Sequence, residues 1–109
     1  MLLWYPKSMN NGALYVVKKW FWLLFPTKET ADAMANDDIL DSAAVSTGTF
    51  ASWWSKTLNS ETYFFSPDSI VVFLEEDGKF KRVLTSDGRI GWTWFIESYN
   101  YCFEEVKHP

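Results

Sequence analysis

Short apolar segments separated by turn residues fill the second half of the chain and predict a series of β-strands. Alternation of apolar and polar positions predicts strands at residues 61–65, 69–76, 79–85, 89–95 and 101–106. Asp77-Gly78 and Asp87-Gly88 separate consecutive strands, and Asp-Gly favours the positive φ angles of hairpin turns. Residues 97–100 predict one helical turn before the last strand. Together these elements predict an antiparallel meander.

The first half of the chain predicts a more mixed set of elements. Residues 13–25 are rich in Val, Tyr, Trp and Phe and predict one long first strand. Thr27 is a good N-cap, and residues 28–36 predict a short helix, with a single helical turn as the alternative. Residues 37–48 predict a polar loop. Residues 49–58 carry apolar side chains at helical spacing and predict either a second short amphipathic helix or a loop whose rings fold back on the body.

These elements predict one domain over residues 1–109, which is a normal domain length. The first strand is residues 13–25, the insertion is residues 26–60, and the meander is residues 61–107. A three-stranded meander has exposed edges that the first and last strands can close. The predicted fold is therefore mostly β: a small barrel of five to six strands, with one or two short helices in a long insertion after the first strand.

Three segments resemble the barrel strands of bacterial and viral Src-homology-3-like domains. They are residues 67–74 (PDSIVVFL), 78–84 (GKFKRVL) and 88–92 (GRIGW). In those domains a Gly-x-x-Gly-Trp strand precedes a helical turn and a closing strand, and residues 96–100 and 101–106 stand in those places. The resemblance covers roughly residues 61–107 and implies a small bent barrel. The class hosts peptide binding, cell-wall targeting, nucleic-acid contact and structural roles, so the resemblance does not select one function.

The composition is unusual in its aromatic content, with seven Trp, nine Phe and five Tyr in 109 residues. Each such ring can bury on the order of 150–250 Å², and a domain of this length has a limited interior. Some rings are therefore expected at the surface. Two interpretations follow: a small secondary core under the long loop, or an aromatic groove that takes a peptide, a glycan or a partner subunit.

Six aromatic residues are the candidates for partner binding. They are Trp92, Trp94, Tyr99, Tyr101, Trp53 and Trp54. Trp92 and Trp94 share one face of a predicted strand, whereas Trp53 and Trp54 are adjacent and cannot both point inward on a regular element. Whether that adjacent pair belongs to the core or the surface is left open. Trp92, Tyr99 and Tyr101 are expected to form an exposed cluster, because the helical turn and last strand lie beside the Gly-Trp strand.

The charge distribution limits the classes of partner. The net charge is −4, the sequence pI is about 4.8, and ten Lys and Arg residues are scattered without a basic block. Nucleic-acid binders need clustered cations to displace phosphate counterions, so nucleic acid is not an expected partner. The apolar runs fall short of the ~20 residues that span a bilayer, and the N-terminus lacks a signal-peptide pattern. A cytoplasmic protein without a membrane partner is expected.

The reactive side chains do not form a recognisable catalytic or metal-binding set. Cys102, the single cysteine, falls in a predicted strand and is expected to be a buried, inert thiol. His108, the single histidine, lies next to the C-terminal residue, so neither a zinc site nor a triad is expected. Neighbouring Glu104 and Glu105 face opposite sides of a strand, and the aspartates of residues 37–41 lack the calcium-loop pattern. No catalytic residue, metal or cofactor is predicted.

The sequence thus predicts a non-enzymatic binding or assembly module that uses an aromatic-rich surface. Its partner is expected to be a protein or peptide, or a second copy of the chain. The alternative is a structural or accessory protein of a phage or mobile element that associates with itself. An enzyme that uses loop carboxylates is the third hypothesis.

Overall fold

The computed structural model describes residues 10–38, 42–45 and 63–106, and within them the chain is mostly β. This part of the chain contains eight strands in two open sheets, with two helices. The strands are β1 (Leu14–Val17), β2 (Phe21–Leu24), β3 (Ala44–Val45), β4 (Tyr63–Phe65), β5 (Ile70–Asp77), β6 (Phe80–Thr85), β7 (Ile90–Trp94) and β8 (Phe103–Glu105). The helices are α1 (Lys28–Asp38) and a 3₁₀ helix (Glu97–Cys102). The predicted mostly β class is confirmed.

The larger sheet has five antiparallel strands in the order β7-β6-β5-β1-β8. The predicted meander forms β5, β6 and β7, and β1 lies between β5 and β8. Leu14 pairs with Val72 on one side of β1, and Tyr15 pairs with Glu105 on the other. The first and last strands therefore extend one edge of the meander. The smaller sheet has the order β3-β2-β4.

The stretch predicted as one long first strand, residues 13–25, is two strands that belong to different sheets. β1 ends at Val17 and β2 begins at Phe21. Between them Trp20 has a φ angle of 71°, a backbone conformation that bulky residues rarely adopt. The side chain of Trp22 donates a hydrogen bond from Nε1 to the Lys19 carbonyl at 2.8 Å across this bend. A left-handed residue breaks the extended backbone, and no sequence pattern of apolar residues reports it.

The two predicted Asp-Gly turns are present. Gly78 joins β5 to β6 with a φ angle of 61°, and Gly88 precedes β7 with a φ angle of 87°. The Gly88 N–H donates to the Thr85 carbonyl at 3.0 Å. The predicted helical turn before the last strand is also present, and it extends to Cys102, so the last strand begins two residues later than the predicted residue 101.

The predicted helix after Pro26 is present and extends to Asp38. Thr27 caps it: Thr27 Oγ1 accepts the Thr30 N–H at 3.1 Å, and Thr30 Oγ1 accepts the Thr27 N–H at 3.3 Å. This is the reciprocal arrangement of a capping box, with Thr in place of Glu or Gln. Ala31 and Ala35 are buried, and α1 packs against β7. The helix therefore covers part of the larger sheet.

The insertion, predicted as residues 26–60, contributes one further described strand. The predicted polar loop of residues 37–48 contains β3, in which Val45 is buried and pairs with Phe21. The predicted amphipathic helix of residues 49–58 lies outside the described residues.

The two sheets are joined along the free edge of β7. Phe25 and Trp92 exchange two main-chain hydrogen bonds, at 2.8 and 2.6 Å, and the Ala43 N–H donates to the Trp94 carbonyl at 2.8 Å. Gly91 makes this approach possible, since a Cβ there would lie 2.6 Å from the Phe25 carbonyl oxygen. Close strand packing therefore accounts for the glycine at position 91.

Buried aromatic rings from both sheets form the centre of the core. Trp22 lies 4.9 Å from Phe103 and 5.3 Å from Phe95, measured between ring centroids. The buried aromatic side chains of the described residues are Tyr15, Trp22, Phe25, Phe65, Phe73, Phe80, Trp94, Phe95 and Phe103. Much of the aromatic excess is therefore accounted for by the core itself.

Candidate functional site

Trp94, one of the predicted contact residues, belongs to the core. Its side chain is 0 % exposed and stacks on Phe25 with ring centroids 5.6 Å apart. Phe80, its partner across the β6–β7 pairing, is also buried. The outward face of β7 at this level is covered because α1 packs against the strand. The expectation that Trp94 contributes to a contact surface is therefore corrected.

Trp92 lies at the margin between core and surface. It is half-buried and packs against the core, while its main chain bonds to Phe25. Trp92 shares the outward face of β7 with Ile90, because residues two apart on a strand point the same way, and it pairs with Arg82. It therefore borders the outer surface of the larger sheet.

The 3₁₀ helix holds Tyr99 and Tyr101 in different environments. Tyr99 is half-buried and meets Trp22 edge-on, with centroids 6.2 Å apart and planes at 88°. Tyr101 is 47 % exposed. Within the described residues no ring contact links Trp92 to either tyrosine. The predicted exposed cluster is therefore not assembled, and Tyr101 is its exposed member.

Tyr101 instead meets the bend between β1 and β2. The Lys19 ammonium lies 5.1 Å from the Trp20 ring centroid and 5.8 Å from that of Tyr101. Trp20 Nε1 is buried without a hydrogen-bond partner within the described part of the chain. The ammonium of Lys19 thus lies within cation–π range of both rings.

The remaining predicted contact residues, Trp53 and Trp54, lie outside the described residues.

A continuous, partly exposed apolar surface in the described part is aliphatic and lies on the outward face of the larger sheet. We call it the aliphatic patch, and it consists of Leu14, Val16, Ile70, Val72, Leu84 and Ile90. Ile70 is 43 % exposed and Ile90 is 50 % exposed, and the other four are partly exposed. None of the six is among the side chains packed on the buried core of the described residues.

Strand register makes the aliphatic patch continuous. Leu14 pairs with Val72 and Val16 with Ile70 across β1 and β5. Val72 pairs in turn with Leu84, and Leu84 with Ile90. Directly opposed residues lie on one face with their Cβ atoms about 4.5–5.5 Å apart. The patch therefore crosses four neighbouring strands without interruption.

Exposed ion pairs border the aliphatic patch. They are Lys18–Glu104 at 3.3 Å and Arg82–Glu75 at 4.0 Å. Exposed pairs of this kind contribute about 0–1 kcal/mol to stability, so their main consequence is a polar rim. An apolar centre with a polar rim is the usual anatomy of a protein interface.

The apolar residues on the outward faces of β1 and β5 are visible in the sequence, but the sequence does not show that they are exposed. The burial of β1 and β5 alternates strictly at their starts, with Tyr15, Val17, Val71 and Phe73 inward. Both faces of these strands carry apolar residues, so alternation predicts two apolar faces and does not say which is covered. The high aromatic content favours a prediction of an aromatic surface, but many of these rings are buried in the core.

A concave region lies between the start of α1 and the β5–β6 turn. It is an open cleft of about 430 Å³, and its lining residues are Lys28, Glu29, Asp32, Asp77, Gly78, Lys79 and Phe80. Lys28 forms an ion pair with Asp77 inside it. The cleft thus carries mixed charge, and Lys28 and Asp77 are already paired within it.

Two ionisable groups, those of Lys81 and Cys102, are buried in the structure. Lys81 Nζ donates to the carbonyls of Gly78 at 2.9 Å and Phe95 at 3.2 Å, and burial lowers the pKa of the Lys81 amine. Cys102 is a buried free thiol, as predicted, and burial raises its pKa. A raised thiol pKa reduces the thiolate fraction, which is the reactive form.

At the surface, the pKa of Asp87 lies below its ordinary value because the Thr85 hydroxyl donates to the carboxylate and Arg89 lies beside it. These contacts order the turn that leads into Ile90. No group of three or more metal-binding side chains occurs among residues 10–38, 42–45 and 63–106. In the same residues, no helix combines the length and apolar character needed to cross a bilayer.

Comparison with protein-family models, with curated proteins and with solved structures gives no match for this chain.

Proposed function

We propose that this chain is a non-enzymatic protein-binding module that docks its partner on the aliphatic patch. The observation that carries the proposal is the in-register set of six partly exposed aliphatic side chains on one sheet face. An apolar patch with a polar rim is a feature of protein interaction sites. The surface differs from the aromatic one that composition suggests, because the rings that were expected outside lie largely in the core.

The proposal includes a relation to Src-homology-3-like barrels. Its support is the chain order of β7, a 3₁₀ helix and β8, together with the position of β1 between β5 and β8. Further support is the joining of the second sheet to the free edge of β7 through Phe25 and Ser42. Partners of a cytoplasmic protein would be proteins or peptides, and no cofactor is part of the proposal.

The proposal is tested with variants that change the patch but leave the core intact. Ile70→Lys/Ile90→Lys places two charges in the patch at its most exposed positions. The matched control is Phe64→Lys/Ile96→Lys, which adds the same charge at residues that are 42 % and 38 % exposed elsewhere on the surface. Circular dichroism and urea unfolding establish that both variants fold.

The wild-type chain serves as bait to isolate a partner from the source organism. The purified partner is then titrated with the wild type and both variants, and calorimetry measures the binding affinity of each. We expect at least about tenfold weaker binding to the patch variant, since a buried charge without a partner is strongly unfavourable, and unchanged binding to the control. Equal affinity for the patch variant and the wild type would refute docking at the patch.

A further inference from the structure

We infer that the occupant of the aliphatic patch is an amphipathic α-helix of a partner protein, an inference that rests on the proposed function. The strand pairing determines the dimensions of the patch. Ile90 and Leu14 lie on the outermost of its four strands, and Ile70 and Val72 occupy two levels along β5. With strands ~4.8 Å apart and two residues rising ~6.8 Å, it measures about 14 Å across the strands and about 7 Å along them.

The size of the patch favours a helix over a second globular copy of the chain as its occupant. A patch of about 14 by 7 Å corresponds to on the order of 100 Å², whereas a stable interface takes about 800 Å² from each partner. The patch is therefore too small to hold two copies of this chain together by itself. A helix with side chains is ~10–12 Å wide and rises 5.4 Å per turn, so two to three turns cover the patch.

The hydrogen bonding of the sheet favours a helix over an extended peptide as the occupant of the patch. The patch presents aliphatic side chains, while the main-chain groups beneath them are paired with neighbouring strands. An occupant of this face must therefore satisfy its own backbone hydrogen bonds. A helix does so internally, whereas an extended segment pairs through its two edges and finds no strand edge to pair with on this face.

The same sheet face already accepts a helix of this chain. Phe80, Arg82 and Leu84 alternate on one side of β6, and Phe80 lies under the start of α1, where Lys28 approaches its ring at 5.9 Å. Leu84 lies four residues further along, about 14 Å away. A second helix would thus lie on the continuation of the surface that α1 covers.

The rim defines the flanks of the docking helix. Arg82–Glu75 and Lys18–Glu104 place both signs of charge on opposite sides of the patch. The matching helix has an uncharged apolar stripe at positions i, i+3, i+4 and i+7, flanked by both acidic and basic residues.

Two displayed libraries of peptides about 14 residues long test the inference on the full chain. Both have the same composition, but one spaces its apolar residues at i, i+3, i+4 and i+7, and the other alternates them strictly. We expect binders from the helical library, with affinity falling at least about tenfold for Ile70→Lys/Ile90→Lys and unchanged for Phe64→Lys/Ile96→Lys. Circular dichroism of the complex should show added helix.

The remaining outcomes contradict the inference in distinguishable ways. Patch-dependent binders from the alternating library alone would show an extended occupant and leave the proposed function standing. A concentration-dependent dimer that the patch variant abolishes would identify a second copy as the occupant. No patch-dependent binder from either library, with the chain monomeric, would overturn the inference, whereas docking at the patch is refuted by equal affinity of the purified partner for the patch variant and the wild type.

Discussion

Gly91 lies so close to Phe25 that a Cβ at position 91 would stand 2.6 Å from the Phe25 carbonyl oxygen. The same carbonyl accepts the N–H of Trp92, so the contact is part of the joint between the two sheets. Leu24 Cγ would lie 2.8 Å from that Cβ, which closes the space from a second direction. The joint holds β2 against β7 and, with it, the core beneath the larger sheet.

Gly91→Ala is expected to lower the free energy of unfolding by about 1–3 kcal/mol, the usual cost of adding atoms to a closely packed site. Urea unfolding measures the change. Gly78→Asn is the control, because Asn tolerates a left-handed backbone and no atom lies within 4 Å of a Cβ at position 78. A loss at Gly91 no larger than that of the control would contradict the packing account.

Trp94→Ala is expected to cost about 3–5 kcal/mol, the range for removing a buried large aromatic side chain. Since that loss can exceed the stability of a small domain, Trp94→Phe is measured beside it and should cost less. Tyr101→Ala, at an exposed ring, should change stability by less than about 1 kcal/mol. Equal costs at the two positions would show that Trp94 is not a core residue.

Lys81 should make the protein more stable as the pH rises through the alkaline range. Its pKa in the folded protein is lowered from the ordinary 10.5, so the unfolded chain binds more protons at this group between the two pKa values. The free energy of unfolding contributed by Lys81 therefore rises with pH across that window and levels off above 10.5. Lys81→Met removes the rise.

The measurement compares unfolding free energies of wild type and Lys81→Met as the pH rises from neutral to the ordinary lysine pKa of 10.5, because a lowered pKa acts on the acid side of that value. Other groups, including Cys102, titrate in both proteins and cancel in the difference. Arg82→Met removes a neighbouring cation that does not titrate in this range and should leave the slope unchanged. Parallel curves for wild type and Lys81→Met would contradict the role of burial.

Cys102 should react slowly with a thiol reagent in the folded protein, because it is buried and its pKa is raised. We expect labelling at least about 100-fold slower under native conditions than in denaturant, since access requires opening of the structure. Cys102→Ser/Tyr101→Cys moves the thiol one residue, to an exposed position, and should react rapidly when folded. Similar native rates for the two thiols would contradict the burial of Cys102.

Local sequence chemistry predicted the turns and the strands between them, because Asp77-Gly78 and the glycine at position 88 determine backbone angles within a few residues. The bend at Trp20 could not be predicted in the same way. It depends on contacts with distant residues, such as the bond from the Lys18 N–H to the Cys102 carbonyl at 2.7 Å. Tertiary contacts thus divide a segment that its composition favours as one strand.

The candidate surface was less predictable than the fold. The sequence showed that Trp92 and Trp94 share a strand face, but which part of that face is covered depends on where α1 packs. The same limit applies to Leu84 and Ile90, whose exposure becomes visible once the strands are paired in register. Covering elements distant in sequence decide which of two apolar faces is free.

The isoleucines provide the most direct measurement of docking at the aliphatic patch. The chain contains Ile39, Ile70, Ile90 and Ile96, so labelling isoleucine δ1-methyl groups gives a simple NMR spectrum in which Ile70 and Ile90 report on the patch. On titration with the purified partner or a selected helical peptide, these two methyl signals should shift while Ile96, exposed elsewhere on the surface, stays in place. Saturable binding that moves Ile96 and leaves Ile70 and Ile90 unshifted would contradict the account.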